Sequence, residues 1–227
     1  MQIIGKCMLT ASLLALMACS QGVQAEAESS AARETKPAAS RAGSSPVKAN
    51  QSSEEDAKAT SSAEELHAHV PEGSTLIDSV GGDLNGDGRP DALLVLDTGN
   101  GDERLGEGVP RTVVLLVRDA SGTLQPAKRN ERLVPCETCG GVAGDPYGYV
   151  RIDKDRFTVA VGGGSRERWS DDYTFTYANG GWYVDKIVRS VVDMESGKQK
   201  RKEFTPRELG ELSFEDLDPS KLEQVAL

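Results

Sequence analysis

The segment that most constrains the fold of this chain is 83–91, which reads Asp-Leu-Asn-Gly-Asp-Gly-Arg-Pro-Asp between two apolar segments. Oxygen atoms recur at alternate positions of this segment. The donors are the side chains of Asp83, Asn85, Asp87 and Asp91 and the main-chain carbonyl of Arg89. Ca²⁺ is a hard cation that prefers oxygen ligands, and Gly88 permits the turn that aims both halves of the segment inward. The segment therefore predicts a Ca²⁺ loop.

The residues after the loop separate it from an EF-hand. An EF-hand needs a carboxylate at its twelfth position, where this chain has Leu94. Residues 92–96 form an apolar run that is typical of a strand. We therefore expect the loop to join two strands. A hairpin turn without metal uses the same residue types and is the alternative, although three converging carboxylates would repel one another without a cation.

The order of strand, Asp-x-Asn-x-Asp-Gly-x-x-Asp loop and strand over residues 80–96 resembles the FG-GAP calcium loop in the blades of integrin-like β-propellers. The resemblance implies Ca²⁺ binding and says little about chemistry. A wider resemblance, to uncharacterised bacterial secreted or lipid-anchored proteins, covers roughly residues 70–218. It implies an envelope location and a β-rich fold, and it transfers no catalytic residue. The motifs that carry it include Gly140-Gly141, Gly144-Asp145-Pro146-Tyr147 and Gly163-Gly164-Ser165 with Arg168-Trp169.

The charge of the chain is acidic, with 26 Lys and Arg residues against 36 Asp and Glu residues. Nucleic-acid phosphates bind to a basic face or stripe, so the composition argues against a nucleic-acid partner. One short basic run contains Lys198, Lys200, Arg201 and Lys202. We interpret this run as a solvated turn.

The N-terminus has the features of a bacterial secretion signal. Residues 1–18 carry one cation, Lys6, before an apolar core that is too short to span a membrane. The signal ends Leu16-Met17-Ala18-Cys19, which resembles a lipobox, so Cys19 would become the lipidated first residue of the mature protein. Ser20 is not the Asp associated with inner-membrane retention. We therefore expect a lipid anchor in the outer membrane of a Gram-negative cell, facing the periplasm. Cleavage and release without a lipid is the alternative.

The composition divides the rest of the chain into three parts. Residues 19–68 read as the lipidated cysteine and a disordered spacer rich in Ala, Ser and Glu, which cannot bury a core. The spacer ends near His67 and His69, which lack a third soft ligand for a metal. Residues 69–193 predict a β-rich calcium-loop domain, and residues 194–227 a charged tail. Thr205-Pro206-Arg207-Glu208 has the pattern of a capping box, so the tail should contain a short helix.

From residue 70 onward, short apolar runs alternate with Gly, Asn and Asp turns, which is the pattern of antiparallel β structure. Asn179-Gly180 predicts a hairpin turn. The expected fold is mainly β: an antiparallel twisted sheet, a sandwich or a partial propeller, with a short C-terminal helix that docks through Leu209, Leu212, Phe214 and Leu217. The domain is too short for a complete multi-bladed propeller. The predicted strands are 74–80, 92–98, 111–118, 149–153, 157–161, 173–177 and 182–188.

Cys136 and Cys139 form a Cys-x-x-Cys pair after Pro135. In an oxidising periplasm the pair predicts a local disulfide. Thiol–disulfide oxidoreductase activity is the alternative, because such a pair can lower the pKa of the attacking thiol. The strand-then-helix context of thioredoxin is lacking.

Arg166, Arg168 and Trp169 follow a glycine run and form a candidate binding surface for protein or sugar. Coverage of a sheet edge by Trp169 is the alternative. No catalytic residue stands out in the sequence. We therefore expect a lipid-anchored, periplasmic, Ca²⁺-binding accessory protein without catalytic activity, whose partner is an envelope protein or peptidoglycan. The alternatives are an inhibitor or immunity lipoprotein against a cell-wall hydrolase, and an envelope enzyme of the thiol–disulfide or carboxylate-based hydrolase type.

Overall fold

The computed structural model describes residues 62–99 and 104–227. These residues form two antiparallel sheets of four and five strands, in which consecutive strands are neighbours. The expected mainly β fold is confirmed, and its architecture is that of a sandwich. The four-stranded sheet contains β1 (Thr75–Gly82), β2 (Asp91–Asp97), β3 (Arg111–Arg118) and β4 (Leu124–Val134). The five-stranded sheet contains β5 (Tyr147–Asp153), β6 (Arg156–Gly164), β7 (Glu167–Ala178), β8 (Gly181–Asp193) and β9 (Gln199–Phe204).

The main core joins the two sheets. Alternation along each strand sends every second side chain to one face, so Leu93 and Val95 of β2 share a cluster with Phe157 of β6 and Phe175 of β7. The Phe157 and Phe175 rings stack with their centroids 4.9 Å apart. Burial of each such side chain stabilises the fold by about 1.5–3 kcal/mol. The sandwich therefore depends on the alternating apolar positions that the sequence shows.

The C-terminal residues dock on this core as predicted. The short helix α2 (Pro206–Leu209) begins after Thr205, whose backbone N–H donates to Glu208 Oε2 at 3.0 Å. Phe214 is fully buried, and its ring packs edge-on against Phe157 and Phe175 with centroid distances of 5.6 and 5.3 Å. Residues beyond the last predicted strand are therefore part of the folded domain.

Residues that precede β1 cover part of the outer face of the four-stranded sheet. A five-residue helix, α1 (Ala63–His67), precedes β1, and Leu66 packs against a buried cluster that includes Leu94 of β2. Glu65 of the same helix accepts from the Arg118 guanidinium of β3 at 2.8 Å. Residues 62–68, which the sequence assigns to the spacer, thus contribute apolar and charged contacts to the sheet. The remainder of the predicted spacer and the signal lie outside the described residues.

Two strands, β4 and β9, were not predicted. The basic run that includes Lys200, Arg201 and Lys202 lies on β9, which pairs with β8 over Ile187–Val192. Its interpretation as a solvated turn is wrong, and the sheet extends past the predicted domain boundary at Asp193. Both strands lie at sheet edges, where charged side chains protect an unpaired strand from aggregation. Neither helix in the described part of the chain, nor any 3₁₀ turn there, has the length and apolarity needed to cross a bilayer.

Candidate functional site

The predicted Ca²⁺ loop connects β1 to β2, as expected. Asp83 organises its first half, because its carboxylate accepts hydrogen bonds from the backbone N–H groups of Gly86 (2.7 Å), Asp87 (3.1 Å) and Gly88 (2.9 Å). Gly86 and Gly88 have positive φ angles of 76° and 82°, a region that favours glycine. The glycines of the sequence pattern therefore provide the turn.

Asp91 closes the second half of the loop. Its carboxylate is fully buried and accepts from the backbone N–H of Leu84 at 2.9 Å and of Arg118 at 2.8 Å. Burial raises the pKa of Asp91, while the two N–H donors oppose that shift. Asp91 thus holds the loop against β3 through main-chain bonds.

Asp87 is bound by the side chains beside it. Its carboxylate accepts from Asn85 Nδ2 at 2.8 Å, from the backbone N–H of Arg89 at 2.9 Å, and from the Arg89 guanidinium. Arg89 also donates through Nε to the carbonyl of Arg118 at 2.8 Å. The negative charge of Asp87 is therefore compensated inside the loop.

The residue types and the turn backbone fit a Ca²⁺ loop, since the predicted donors are all oxygen atoms. The carboxylates of Asp83, Asp87 and Asp91 are engaged separately, however. Over residues 62–99 and 104–227, no group of three or more His, Cys, Asp or Glu side chains is placed to share a metal ion. His67 and His69 lie within these ranges and belong to no such group.

The loop also contacts the five-stranded sheet. Leu84 is fully buried in the main core, and its carbonyl accepts from Trp182 Nε1 at 2.8 Å. The carbonyl of Asp83 accepts from the backbone N–H of Asp155, in the turn between β5 and β6, at 3.1 Å. The loop is thus bonded to both sheets, so its conformation and the packing of the sandwich are coupled.

The structure contains the predicted disulfide between Cys136 and Cys139. The pair lies where β4 leads into a 3₁₀ segment, Glu137–Ala143. Cys136 is buried, and Thr138 Oγ1 between the cysteines donates to the carbonyl of Glu107 at 2.7 Å. The disulfide therefore fixes a segment that is hydrogen-bonded to the loop containing Gly106 and Glu107.

The three residues of the predicted binding surface, Arg166, Arg168 and Trp169, do not share one face of the sheet. Arg168 and Trp169 are neighbours on β7, so their side chains leave opposite faces of the sheet. Trp169 packs beside the main core, while Arg168 is exposed. Arg166 lies in the turn before β7, where its guanidinium pairs with Asp193 at 3.0 Å and Glu195 at 3.2 Å.

Trp169 instead lines a cleft of about 270 Å³ with residues that the sequence did not single out. We call this site the Trp169 cleft. Asp171 and Arg189 are 4% and 9% exposed and lie opposite each other on β7 and β8. Asp171 Oδ2 accepts from Tyr173 Oη at 2.9 Å and from Arg189 Nε at 3.0 Å. The other lining residues are Leu133, Pro135, Val161, Ser190, Pro219, Ser220, Gln224 and Val225.

Two further interactions hold the cleft in shape. Burial, together with the charge and hydrogen bond of Asp171, raises the pKa of the Tyr173 phenol, which therefore stays a donor. Arg189 Nη1 donates to the carbonyl of Glu223 at 3.1 Å, so the C-terminal wall is bonded to the charged pair. These bonds fix the positions of Asp171, Tyr173, Arg189 and the C-terminal wall.

A larger groove of about 860 Å³ lies over the outer face of the four-stranded sheet. Leu96 and Val114 contribute to its apolar floor. At its rim, Lys128 pairs with Glu215, and Arg129 pairs with Glu131. A third cation at the groove, Arg132, donates to the carbonyl of Glu215 at 2.9 Å.

Comparisons with known proteins give little guidance. No family model and no curated protein matches the chain. A solved structure described as "Structure of a Xanthomonas Type IV Secretion System related protein" is 14% identical, with a TM-score of 0.28. The similarity covers 55% of this chain and 57% of that one, so this chain spans just over half the length of that structure. This likeness supports neither a fold assignment nor a function.

Proposed function

We propose that this chain is a lipid-anchored, Ca²⁺-binding accessory protein at the periplasmic face of the outer membrane, which binds an envelope component and has no catalytic activity. The observation that carries the binding role is the Trp169 cleft. It combines an aromatic side chain and apolar walls with a few polar groups in fixed positions, which is typical of a ligand site. The acidic composition disfavours nucleic acid as the component bound.

The proposed Ca²⁺ ligands are the side chains of Asp83, Asn85, Asp87 and Asp91 and the carbonyl of Arg89. The oxygen donor set and the positive φ angles of Gly86 and Gly88 support this assignment. Bound Ca²⁺ would supply positive charge between carboxylates of one loop. Because that loop is bonded to both sheets, a cation that binds only the folded state would stabilise the whole sandwich by mass action.

The lipobox-like segment ending at Cys19 supports the anchor, although it lies outside the described residues. Acyl chains bury enough CH₂ groups to hold a protein on a bilayer when more than one is attached. The polar residues between Cys19 and α1 would then separate the sandwich from the membrane surface. In this arrangement, Cys136 and Cys139 lie in a compartment that favours their disulfide.

Fractionation and acyl labelling test this proposal. The full-length protein, expressed in a Gram-negative host with labelled palmitate, should carry the label and sediment with the outer membrane. The Cys19→Ser variant should lack the label and leave that fraction. Recovery of the unlabelled wild-type protein in the soluble periplasmic fraction would contradict the anchor.

A further inference from the structure

The Trp169 cleft is built from one face of two neighbouring strands. Trp169, Asp171 and Tyr173 alternate along β7 and therefore share a face. Arg189 lies opposite Asp171 on β8, and Lys202 lies opposite Arg189 on β9. The remaining walls come from Val161 of β6, from Leu133 and Pro135 at the end of β4, and from C-terminal residues that include Ser220 and Gln224. The cleft thus combines side chains of both sheets with side chains of the C-terminal segment.

Asp171 keeps one acceptor for a ligand. Tyr173 Oη and two nitrogens of the Arg189 guanidinium all bond to Oδ2, at 2.9 to 3.0 Å. No buried side-chain nitrogen or oxygen among the described residues lacks a partner. Oδ1, to which none of these donors bonds, therefore retains some accessible surface, and Asp171 is one of the residues that line the cleft. A carboxylate oxygen held in this way selects a ligand group that donates a hydrogen bond.

The charges around the cleft cancel. The charged side chains that line it are Asp171 and Arg189, which are paired at 2.9 Å. An ionic ligand therefore finds no uncompensated charge of opposite sign among the lining residues. The cleft thus favours a neutral, hydrogen-bonding ligand over an ammonium or phosphate group.

The aromatic wall is rigid. Gly163 lies opposite Trp169 on β6, and a Cβ atom at Gly163 would lie 2.9 Å from Cζ2 of Trp169 and 2.7 Å from the carbonyl of Gly140. The glycine thus provides the space in which the indole is held. An indole carries negative potential on its ring face, which attracts polarised C–H groups. A sugar ring presents such C–H groups on one face and hydroxyl donors at its edge.

We infer that the Trp169 cleft binds one ring of a neutral saccharide. The C–H face of the ring packs on Trp169, and a ring hydroxyl donates to Asp171 Oδ1. Gln224 hydrogen-bonds a second hydroxyl from the C-terminal wall. The inference rests on the proposed binding role and names its ligand class. It is independent of the lipid anchor and of Ca²⁺.

The test titrates the purified full-length protein with triacetylchitotriose and with maltotriose, followed by calorimetry and tryptophan fluorescence. The two trisaccharides separate an N-acetylated wall sugar from a plain glucan. Saturable binding of either, with a change in tryptophan emission, supports the inference. Trp182 is only 3% exposed, so the change should come from Trp169. Absence of saturable binding by both trisaccharides would overturn it, while palmitate labelling would still report on the anchor.

Matched variants locate the site. Trp169→Leu should weaken binding at least tenfold, and Gln224→Ala, at an exposed position, should weaken it severalfold without a fold defect. Arg168→Ala, on the opposite face of the same strand, should bind like the wild type. Unchanged affinity in both Trp169→Leu and Gln224→Ala, or an equal loss in Arg168→Ala, would overturn the assignment to this cleft.

Discussion

At the scale of single residues, buried arginines join parts of the chain that are far apart in sequence. Arg111 is 1% exposed and bonds Asp97 through Nε at 3.0 Å. Its two terminal nitrogens bond both carboxylate oxygens of Asp145 at 2.7 and 2.8 Å. The sequence shows Arg111 as an ordinary strand residue, because its partners are set by the tertiary fold. Loss of the guanidinium would leave Asp97, whose side chain is 16% exposed, without its cationic partner, whereas Asp145 is 41% exposed and would be solvated.

Replacement of Arg111 by Met should therefore lower the free energy of unfolding by about 1–3 kcal/mol, because the acceptors on Asp97 and Asp145 lose their donors. Arg166→Met is the matched control, because the Arg166 side chain is 66% exposed. That change should cost less than about 1 kcal/mol. Urea denaturation measures both values. Similar losses in the two variants would show that burial of the Arg111 network contributes little.

Glu65 provides a prediction with a pH dependence. The hydrogen bond from Arg118 lowers the pKa of Glu65 below its ordinary value of 4.5. Since the folded state favours the ionised carboxylate, the pair stabilises the fold above that ordinary value and loses its contribution as the pH falls through the lowered pKa. The melting temperature of Glu65→Gln should therefore lie below that of the wild type at pH 7 and approach it near pH 3.

The neighbouring exposed residue supplies the control for this pH series. Glu64→Gln should follow the wild-type melting temperature at every pH. A Glu65→Gln difference that stays constant from pH 7 to pH 3 would mean that ionisation of Glu65 does not stabilise α1 against the sheet.

At the scale of elements, the sequence predicted the buried strands and missed the edge strands. β2 and β3 were predicted because their apolar residues are continuous, and both are buried on two faces. β4 and β9 expose most of their side chains, so hydrophobic periodicity is weak there. Pro126 in β4 lies at a register shift, a position where a strand tolerates proline.

The Trp169 cleft was missed because it depends on the register between β7 and β8, which the sequence does not reveal. The Asn179-Gly180 turn sets the pairing of Tyr177 with Trp182, and uninterrupted pairing from that turn would place Asp171 opposite Val188. A bulge between Thr174 and Phe175 shifts the register by one residue, so Asp171 lies opposite Arg189. A one-residue shift changes which side chains share a face. The turn alone therefore does not predict the charged pair.

The glycine run of β6 gives a prediction about element packing. Gly163→Ala should destabilise the protein by about 1–3 kcal/mol, because its Cβ would overlap Trp169 and the Gly140 carbonyl. Gly81→Ala, on β1, is the control, since its Cβ would have only one contact, at 3.8 Å to the Asp91 carbonyl. Thermal unfolding compares them. A Gly163→Ala melting temperature equal to that of Gly81→Ala would contradict the close packing.

In the whole molecule, the two sheets of the sandwich are both bonded to a loop that was recognisable in the sequence. The mainly β class and the docking of Phe214 followed from apolar patterns. The attachment of the loop to the second sheet did not, because the Trp182–Leu84 bond links residues brought together only by the fold. If Ca²⁺ binds this loop, the cation stabilises both sheets, because the loop is bonded to each of them.

Thermal unfolding of the full-length protein in Ca²⁺ and in chelator tests that claim most directly. We expect a higher melting temperature in Ca²⁺ for the wild type and no Ca²⁺-dependent shift for Asp87→Ala. Asp119→Ala is the control, because Asp119 likewise accepts bonds within its own turn, from Ser121 and Thr123, and it should retain the full shift. Identical wild-type melting curves in Ca²⁺ and in chelator would show that the loop does not stabilise the sandwich through Ca²⁺.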